Sequence, residues 1–206
     1  KYIYMLKYYR NLLRWRNKYM RIIAGSARGR KILSPVGMGT RPTLDRIKEA
    51  MFNIIQSRVR SAIVVDMFSG TGSLGLEAAS RGATKCYLID MGDTTFEMLQ
   101  NNVNNLKFND KCQCLKGDTY KYMEQFANEG IVFDLIFIDP PYAKDMIPPA
   151  IEIISKNNLL SKEGLIVCKI DSSEEIYQGN CIIHLSDSRK YGNTTVLFYK
   201  YKETND

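Results

Sequence analysis

The chain has 206 residues, 45% of them hydrophobic, which suits one domain of ordinary size with a small appendage. No apolar stretch approaches the ~18 residues that a membrane span requires. Its five cysteines are odd in number and lie mostly in apolar runs, which favours reduced thiols over a disulfide framework. The chain has one histidine and one close cysteine pair, so no metal site is predicted.

Positive charge is concentrated at the amino-terminal end. The net charge is +7, yet the first sixty residues hold fifteen Lys and Arg against two acids, an excess of thirteen that leaves −6 for residues 61–206. Such asymmetry predicts a basic arm that contacts a polyanion, and it favours nucleic acid over a merely solubilising role.

Residues 1–19 form an aromatic and basic extension without the cleavage site or apolar core of a signal peptide. Two interpretations stay open: a helical RNA-contacting extension whose rings stack on bases, or a dispensable, disordered or artefactual segment ahead of a start at Met20.

Residues 20–60 are predicted as a separate basic element that contacts RNA. Several short β-like runs and glycines come first, and a helix is expected from Thr43, because Ile47, Met51 and Ile54 recur at helical spacing. Phosphates of the RNA are expected to meet Arg21, Arg28, Arg30, Lys31 and Arg46.

From residue 61 onward, strands alternate with single helices. This order predicts right-handed βαβ units and a mostly parallel sheet covered on both faces. Strands are expected at 62–67, 85–89, 112–116, 133–138 and 164–170. Runs 181–187 and 194–202, joined by the loop 188–193, are expected to close the sheet as an antiparallel hairpin.

A glycine-rich turn follows the first of these strands. Gly70, Gly72 and Gly75 form GxGxxG between a strand and a helix, a context in which the backbone can approach a ligand closely. Asp66 precedes the glycines, where it would repel a pyrophosphate and attract a cationic amino group. S-adenosylmethionine combines such an amino group with an adenosine, while an NAD-dependent oxidoreductase stays the alternative.

Acids also end the next two strands. Asp90 could accept both ribose hydroxyls, and Asp118 could accept from an adenine amino group, although it also suits a helix N-cap. Because ligands bind at the carboxyl edge of open α/β sheets, these acids predict the cofactor crevice.

The fourth strand ends in the tetrapeptide Asp139-Pro140-Pro141-Tyr142. A carboxylate and a proline-fixed carbonyl can both accept hydrogen bonds from an exocyclic amine and so direct its lone pair at a methyl group. Tyr142 could stack on a flipped base. The tetrapeptide is therefore predicted to be catalytic.

These motifs, together with "MRIIAGSARGRKILSP", "TRPTLDRIKEAMFNII" and "RKYGNTTVLFY", resemble the RsmD family of 16S rRNA (guanine-N2)-methyltransferases across residues 20 to about 201. The resemblance implies a Rossmann-like, seven-stranded α/β methyltransferase domain over 61–206, and S-adenosylmethionine as cofactor. It implies methylation of guanine N2 in 16S rRNA or an assembling 30S subunit. It also implies that Arg41, Pro42 and Thr43 fold over the cofactor pocket, which the loop residue Phe68 lines and where Met91 packs on adenine. Asp90 departs from the Glu usual in the family.

Other residues have simpler interpretations. His184 is expected to be packed or on the surface, and Glu77 to be structural. Arg189, Lys190 and Tyr191 form either an RNA-contacting loop or a solvated turn. DNA adenine-N6 methylation and non-catalytic RNA binding stay open as functions, and we expect a cytoplasmic monomer.

Overall fold

The computed structural model describes residues 19–34, 41–141 and 145–202, with only the backbone described at residues 19 and 41–44. The predicted extension, apart from residue 19, and Tyr142 lie outside these ranges. Within them, no helix combines the length and apolarity that crossing a membrane would take. The strands are β1 (Tyr19–Arg21), β2 (Lys31–Leu33), β3 (Ile63–Asp66), β4 (Lys85–Asp90), β5 (Cys112–Lys116), β6 (Phe133–Ile138), β7 (Leu160–Asp171), β8 (Ile183–Tyr191) and β9 (Thr194–Tyr201). The helices are α1 (Arg41–Ile54), α2 (Gln56–Val59), α3 (Ser73–Ser80), α4 (Asp93–Leu106), α5 (Thr119–Asn128) and α6 (Ile147–Lys156).

Seven strands form one sheet in the order β5-β4-β3-β6-β7-β9-β8. β5, β4, β3, β6 and β7 run parallel, whereas β9 runs antiparallel to both β7 and β8. The predicted fold is confirmed. The chain moves outward from β3 through β4 to β5 and then returns to the other side of β3 as β6, so a crevice opens at the carboxyl ends of β3 and β6.

Side chains of successive residues in the central strands point to opposite faces of the sheet, where they pack into two separate cores, as strand geometry requires. Val64 faces the core that contains residues of α1, α3 and α4. Val65 faces the core that contains residues of α5 and α6. The helices thus cover both faces of the parallel part of the sheet.

The hairpin β1–β2 packs on the α3–α4 side. Ile22 and Ile32 are buried in the same core as Val64. The fully buried Glu77 accepts the Ile23 amide at 2.8 Å and the Ala24 amide at 3.0 Å. Glu77 therefore has the structural contacts expected of it, while the predicted domain boundary at residue 60 stays a prediction.

Asn102 of α4 binds the backbone of β2 through its side chain. Its carboxamide accepts the Leu33 amide at 2.7 Å and donates to the carbonyls of Leu33 and Thr71. One buried amide therefore joins the hairpin to the glycine-rich turn.

The carboxyl-terminal hairpin differs from the prediction in one respect. Arg189, Lys190 and Tyr191 lie in β8 and not in a loop, because β8 pairs with β9 up to the contact between Tyr191 and Thr194. Only two residues remain for the turn, and Gly192 has the positive φ of 62° that such a tight turn needs.

Candidate active site

A cavity of about 920 Å³ opens at the carboxyl edge of the parallel strands. Segments that follow β3, β4, β5 and β6 form its wall, and α1 and β7 add side chains. Of the charged side chains described, the wall carries four carboxylates and two ammonium groups: Asp45, Asp90, Asp118 and Asp139 against Lys48 and Lys169. The excess of negative charge favours a cationic ligand.

The three glycines of the turn have different roles. Gly70 lies on the wall, where its amide donates to the Asp90 carboxylate at 2.9 Å. A Cβ on Gly72 would lie 2.6 Å from Leu99, and one on Gly75 would lie 2.1 Å from Leu88. The structure places Gly72 and Gly75 behind the wall, where they allow close packing, and their direct contact with a cofactor stays a prediction.

Asp66 also lies behind the wall, with 1% of its surface exposed. Its Oδ2 accepts the Gly75 amide at 3.0 Å, whereas its Oδ1 has no hydrogen-bond partner among the described residues. Burial raises the pKa of this carboxyl to about 7; the Gly75 hydrogen bond opposes the shift, and the Asp139 charge adds to it. A cation nearby would favour the charged form of Asp66.

Asp90 is the best-fixed carboxylate of the wall. It accepts the amides of Gly70 and Gly92 at 2.9 and 3.0 Å and the hydroxyl of Thr95. Beside it, Met91 exposes 73% of its surface and lines the cavity. An oxygen acceptor next to an exposed thioether is an arrangement that suits a nucleoside.

Asp118 caps α5, as one of the two interpretations predicted. One carboxylate oxygen accepts the Tyr120 amide at 2.8 Å and the Lys121 amide at 3.3 Å. The residue still lines the cavity, so capping and ligand contact are compatible. Phe68 lies on the wall and meets the Tyr120 ring edge-on at 6.3 Å between centroids.

On the opposite side of the cavity, Asp139 forms an ion pair with Lys169 of β7. Both side chains are mostly buried, with 25% and 18% exposed, and Pro140 and Pro141 continue the wall. The acid, the two prolines and the cavity therefore come together as predicted. Tyr142 and the side chains of Arg41 and Thr43 lie outside the described residues; the backbone does show that Arg41–Thr43 begin α1.

Sequence reasoning missed Lys48 and Lys169. Each lies in an element whose apolar pattern predicts a helix or a strand but no site residue. The available signal was a single lysine within such a pattern: Lys48 between Ile47 and Met51, and Lys169 between Cys168 and Ile170. Both reach the cavity wall.

The structure separates the predicted RNA-binding residues into two groups. Arg21 donates to the wall residue Asp45 at 2.8 Å, and the exposed Arg46 follows it in α1. Arg189 pairs with Val196, which pairs with Lys169, so the backbone of Arg189 lies two strand spacings, about 10 Å, from the wall. Lys190 and the half-buried Tyr191 follow it toward the carboxyl edge.

The other group lies at the far end of the helices. The amide of Ala27, next to Arg28, donates to Ser80 at the end of α3. Ser80 lies about 10 Å along the helix axis from Ser73, the first residue of α3, which is on the wall. Arg30 donates to the Asn105 carbonyl near the end of α4. Lys31 pairs with Arg21 across the β1–β2 hairpin, so it lies between the two groups. Arg28 and Arg30 therefore lie toward the helix ends that point away from the cavity.

Comparison with known proteins agrees with this site. Residues 20–200 match the family model described as conserved hypothetical protein 95. A ribosomal RNA small subunit methyltransferase D from Haemophilus influenzae is 33% identical over 76% of this chain and 81% of that protein. The protein of the same name from Escherichia coli K12 is 34% identical over 71% of this chain and 72% of its own length. A solved Escherichia coli structure, described as a candidate methyltransferase, yhhF, gives a TM-score of 0.80 at 27% identity and covers 91% of this chain and 100% of that one. The chain therefore belongs to the conserved hypothetical protein 95 family, which is the RsmD family predicted from its motifs.

Proposed function

We propose that this protein transfers a methyl group from S-adenosylmethionine to the exocyclic N2 of a guanine in small-subunit ribosomal RNA. The observation that carries the proposal is that Asp139, Pro140 and Pro141 lie on the wall of a cavity with more carboxylates than ammonium groups. The names of the relatives support the same reaction and substrate class.

The residues present fit this cofactor. Asp90 and Asp118 offer acceptors for ribose and adenine, and Met91 and Phe68 offer apolar surface to the rings. The orphaned Oδ1 of Asp66 and the net negative wall favour a molecule with a sulfonium and an amino group. They oppose an anionic dinucleotide, the ligand of the rival oxidoreductase. When bound, S-adenosylmethionine supplies an electrophilic methyl group.

In this reaction the protein orients a weak nucleophile, the N2 amine of guanine. The lone pair of a guanine N2 amine is delocalised into the ring, so the amine must be held in one geometry. Asp139 and the Pro140 carbonyl accept its two N–H groups, and the prolines hold these acceptors in place. Lys169 fixes the Asp139 carboxylate from the side of β7. Tyr142 stacks on the target base.

The test of function is methyl transfer from labelled S-adenosylmethionine to three substrates: 30S particles from a strain lacking the modification, free 16S rRNA and unmethylated DNA. Label recovered as N2-methylguanine, and lost in Asp139→Ala, is the expected result. The amounts of label in the 30S particles and in free 16S rRNA would also show whether naked RNA or the assembling particle is the substrate. Label in DNA alone would assign the protein to the adenine-N6 class, which uses the same tetrapeptide. No transfer despite cofactor binding would favour a binding module.

For RNA contact we propose that the group near the cavity, Arg21, Arg46, Arg189, Lys190 and Tyr191, surrounds the target nucleotide. Arg28 and Arg30 contact more distant phosphates, and Lys31, which pairs with Arg21, lies between the two groups. The exposed ion pair of Arg189 with Asp187, 2.9 Å long, contributes little to stability and can exchange for a phosphate. The double variant Arg189→Ala, Lys190→Ala is compared with Arg28→Ala, Arg30→Ala. Both should raise KM for RNA and reduce its salt dependence, but only the first should also lower kcat. Equal effects on kcat would contradict this division.

We also propose that the protein is a monomer, which sedimentation would test.

A further inference from the structure

Tyr120, the second residue of α5, contacts three segments of the cavity wall. Its ring meets Phe68, which follows β3, edge-on at 6.3 Å between centroids. Its amide donates to the Asp118 carboxylate after β5 at 2.8 Å. Its hydroxyl donates to the carbonyl of Met146 at 3.0 Å. Met146 lies on the wall directly before α6, in the connection that also carries Asp139. One side chain therefore joins the part of the wall suited to adenosine to the connection that follows β6.

The two prolines of this connection are not packed on all sides. A second, small cavity of about 40 Å³ is lined by Pro140, Pro141 and Met146, which also line the large one, and by Ile147 of α6 and Ile170 of β7. A gap of this kind removes the dispersion contacts that would otherwise fix the prolines against α6 and β7. Hydrogen bonds that hold the start of α6 therefore matter for where the prolines lie.

The Tyr120 hydroxyl is suited to hold that start. The Met146 carbonyl also accepts the Ala150 amide in the first turn of α6, but at 3.3 Å that bond is the longer of the two. Burial raises the pKa of the half-buried Tyr120, and the nearby Asp118 charge adds to the shift. The hydroxyl therefore keeps its proton at neutral pH and can donate throughout the reaction cycle.

We infer that Tyr120 is a positioning residue for methyl transfer: its hydroxyl fixes the start of α6, and with it the connection that carries Pro140 and Pro141, relative to the cofactor. This inference rests on the proposed function and extends it, because the same side chain contacts Phe68 and Asp118, which are proposed to meet the adenosine. Transfer needs the target amine and the methyl group in one geometry. A hydrogen bond between the two subsites keeps the acceptors of the amine at a set distance from the cofactor.

The test removes one hydroxyl and keeps the ring. We expect Tyr120→Phe to lower the single-turnover rate of methyl transfer about five- to tenfold at saturating cofactor and RNA, the loss that one hydrogen bond accounts for. The dissociation constant of S-adenosylhomocysteine should change less than twofold. Tyr201→Phe removes a hydroxyl that donates to a carbonyl of β7, also at 3.0 Å, and Tyr122→Phe removes one that donates to a carbonyl of β5 at 3.2 Å. Both matched controls should change the rate less than twofold.

Hydrogen exchange at the Ala150 amide, followed by NMR in the protein without ligand, tests the link without requiring activity. This amide donates to the carbonyl that Tyr120 holds. We expect exchange at least threefold faster in Tyr120→Phe and unchanged in Tyr201→Phe.

Four results would overturn the inference. They are an unchanged transfer rate in Tyr120→Phe, a loss of rate explained entirely by weaker binding of S-adenosylhomocysteine, an equal loss of rate in Tyr201→Phe, and exchange at Ala150 equal to that of the wild type. A wild type that transfers no methyl group to any RNA would instead refute the proposed function, while faster exchange in Tyr120→Phe would still support the link between Tyr120 and α6.

Discussion

The two halves of the crevice hold their carboxylates by different means. In the half formed by β3, β4 and β5, each acid accepts backbone amides from the turn after its own strand, from the turn after the neighbouring strand or from the next helix. In the half formed by β6 and β7, Asp139 contacts the side chain of Lys169. Backbone donors are held by the fold of the turn, whereas the ammonium of Lys169 reaches Asp139 at the end of a long side chain.

This difference matches two tasks. A cofactor has the same shape in every cycle, so a rigid set of acceptors binds it without reorganisation. A target amine arrives with each new RNA, and a carboxylate beside a long side chain can change partners when it does. We therefore expect substitutions in the first half to act on cofactor affinity and those in the second half to act on kcat.

The largest effect is expected at the second half. Asp139→Asn should lower kcat by about 10²–10³-fold, because the substituted amide presents a donor where the amine needs an acceptor. The dissociation constant of S-adenosylhomocysteine should change less than threefold. Single-turnover transfer and calorimetry measure the two quantities. A large loss of cofactor affinity would contradict the assignment of the two halves of the crevice to cofactor binding and to catalysis.

In the first half, Asp90→Ala removes the acceptor of two amides and a hydroxyl. We expect cofactor affinity to fall by about ten- to a hundredfold, with kcat at saturating cofactor little changed. Asp93→Ala, three residues on and exposed, is the matched control and should have less than a twofold effect. An unchanged dissociation constant for Asp90→Ala would show that this acid does not serve the ligand.

Lys169→Met tests whether Lys169 positions Asp139. We expect kcat to fall about tenfold with cofactor affinity preserved, because the carboxylate loses the group that orients it. Lys169→Arg should restore most of the rate. A rise in kcat for Lys169→Met would show that the lysine competes with the target amine instead.

The smallest effect concerns stability without ligand. Since the pKa of Asp66 is about 7 in the folded protein, against 3.8 for an unburied carboxyl, the folded state holds a proton that the unfolded state has lost between these pH values. The free energy of unfolding should therefore fall as pH rises from about 4 to about 7 and then level off.

Asp66→Asn should abolish this pH-dependent fall in the free energy of unfolding, so the variant gains stability relative to the wild type between pH 5 and pH 8. The variant should also bind the cationic cofactor more weakly. Urea denaturation at both pH values measures the first effect. The same substitution at the exposed Asp110 is the control. A stability difference that does not vary with pH would contradict the raised pKa.

Much of this site could be predicted because its chemistry is local in the chain. Asp66, Asp90 and Asp139 each end a strand or follow one directly, and parallel strands bring such ends to one edge. Lys48 and Lys169 could not be predicted in the same way. The first is one polar position within a helix that packs its apolar face, and the second lies within a strand, two residues before its end. Their contacts join residues 25 and 30 positions apart along the chain.

The sequence by itself determined the alternation of strands and helices, the glycine-rich turn and the acids at the crevice, because hydrophobic period and backbone-specific residues act over a few positions. Tertiary structure alone decided which glycine of the turn lines the cavity and which lysines reach it. It also decided that Arg28 lies beside the far end of α3 while Arg189 lies two strands from the wall. Those outcomes depend on how β1–β2 packs against α3 and how β8 pairs with β9. Contacts between distant segments are set by the whole core and not by any local pattern.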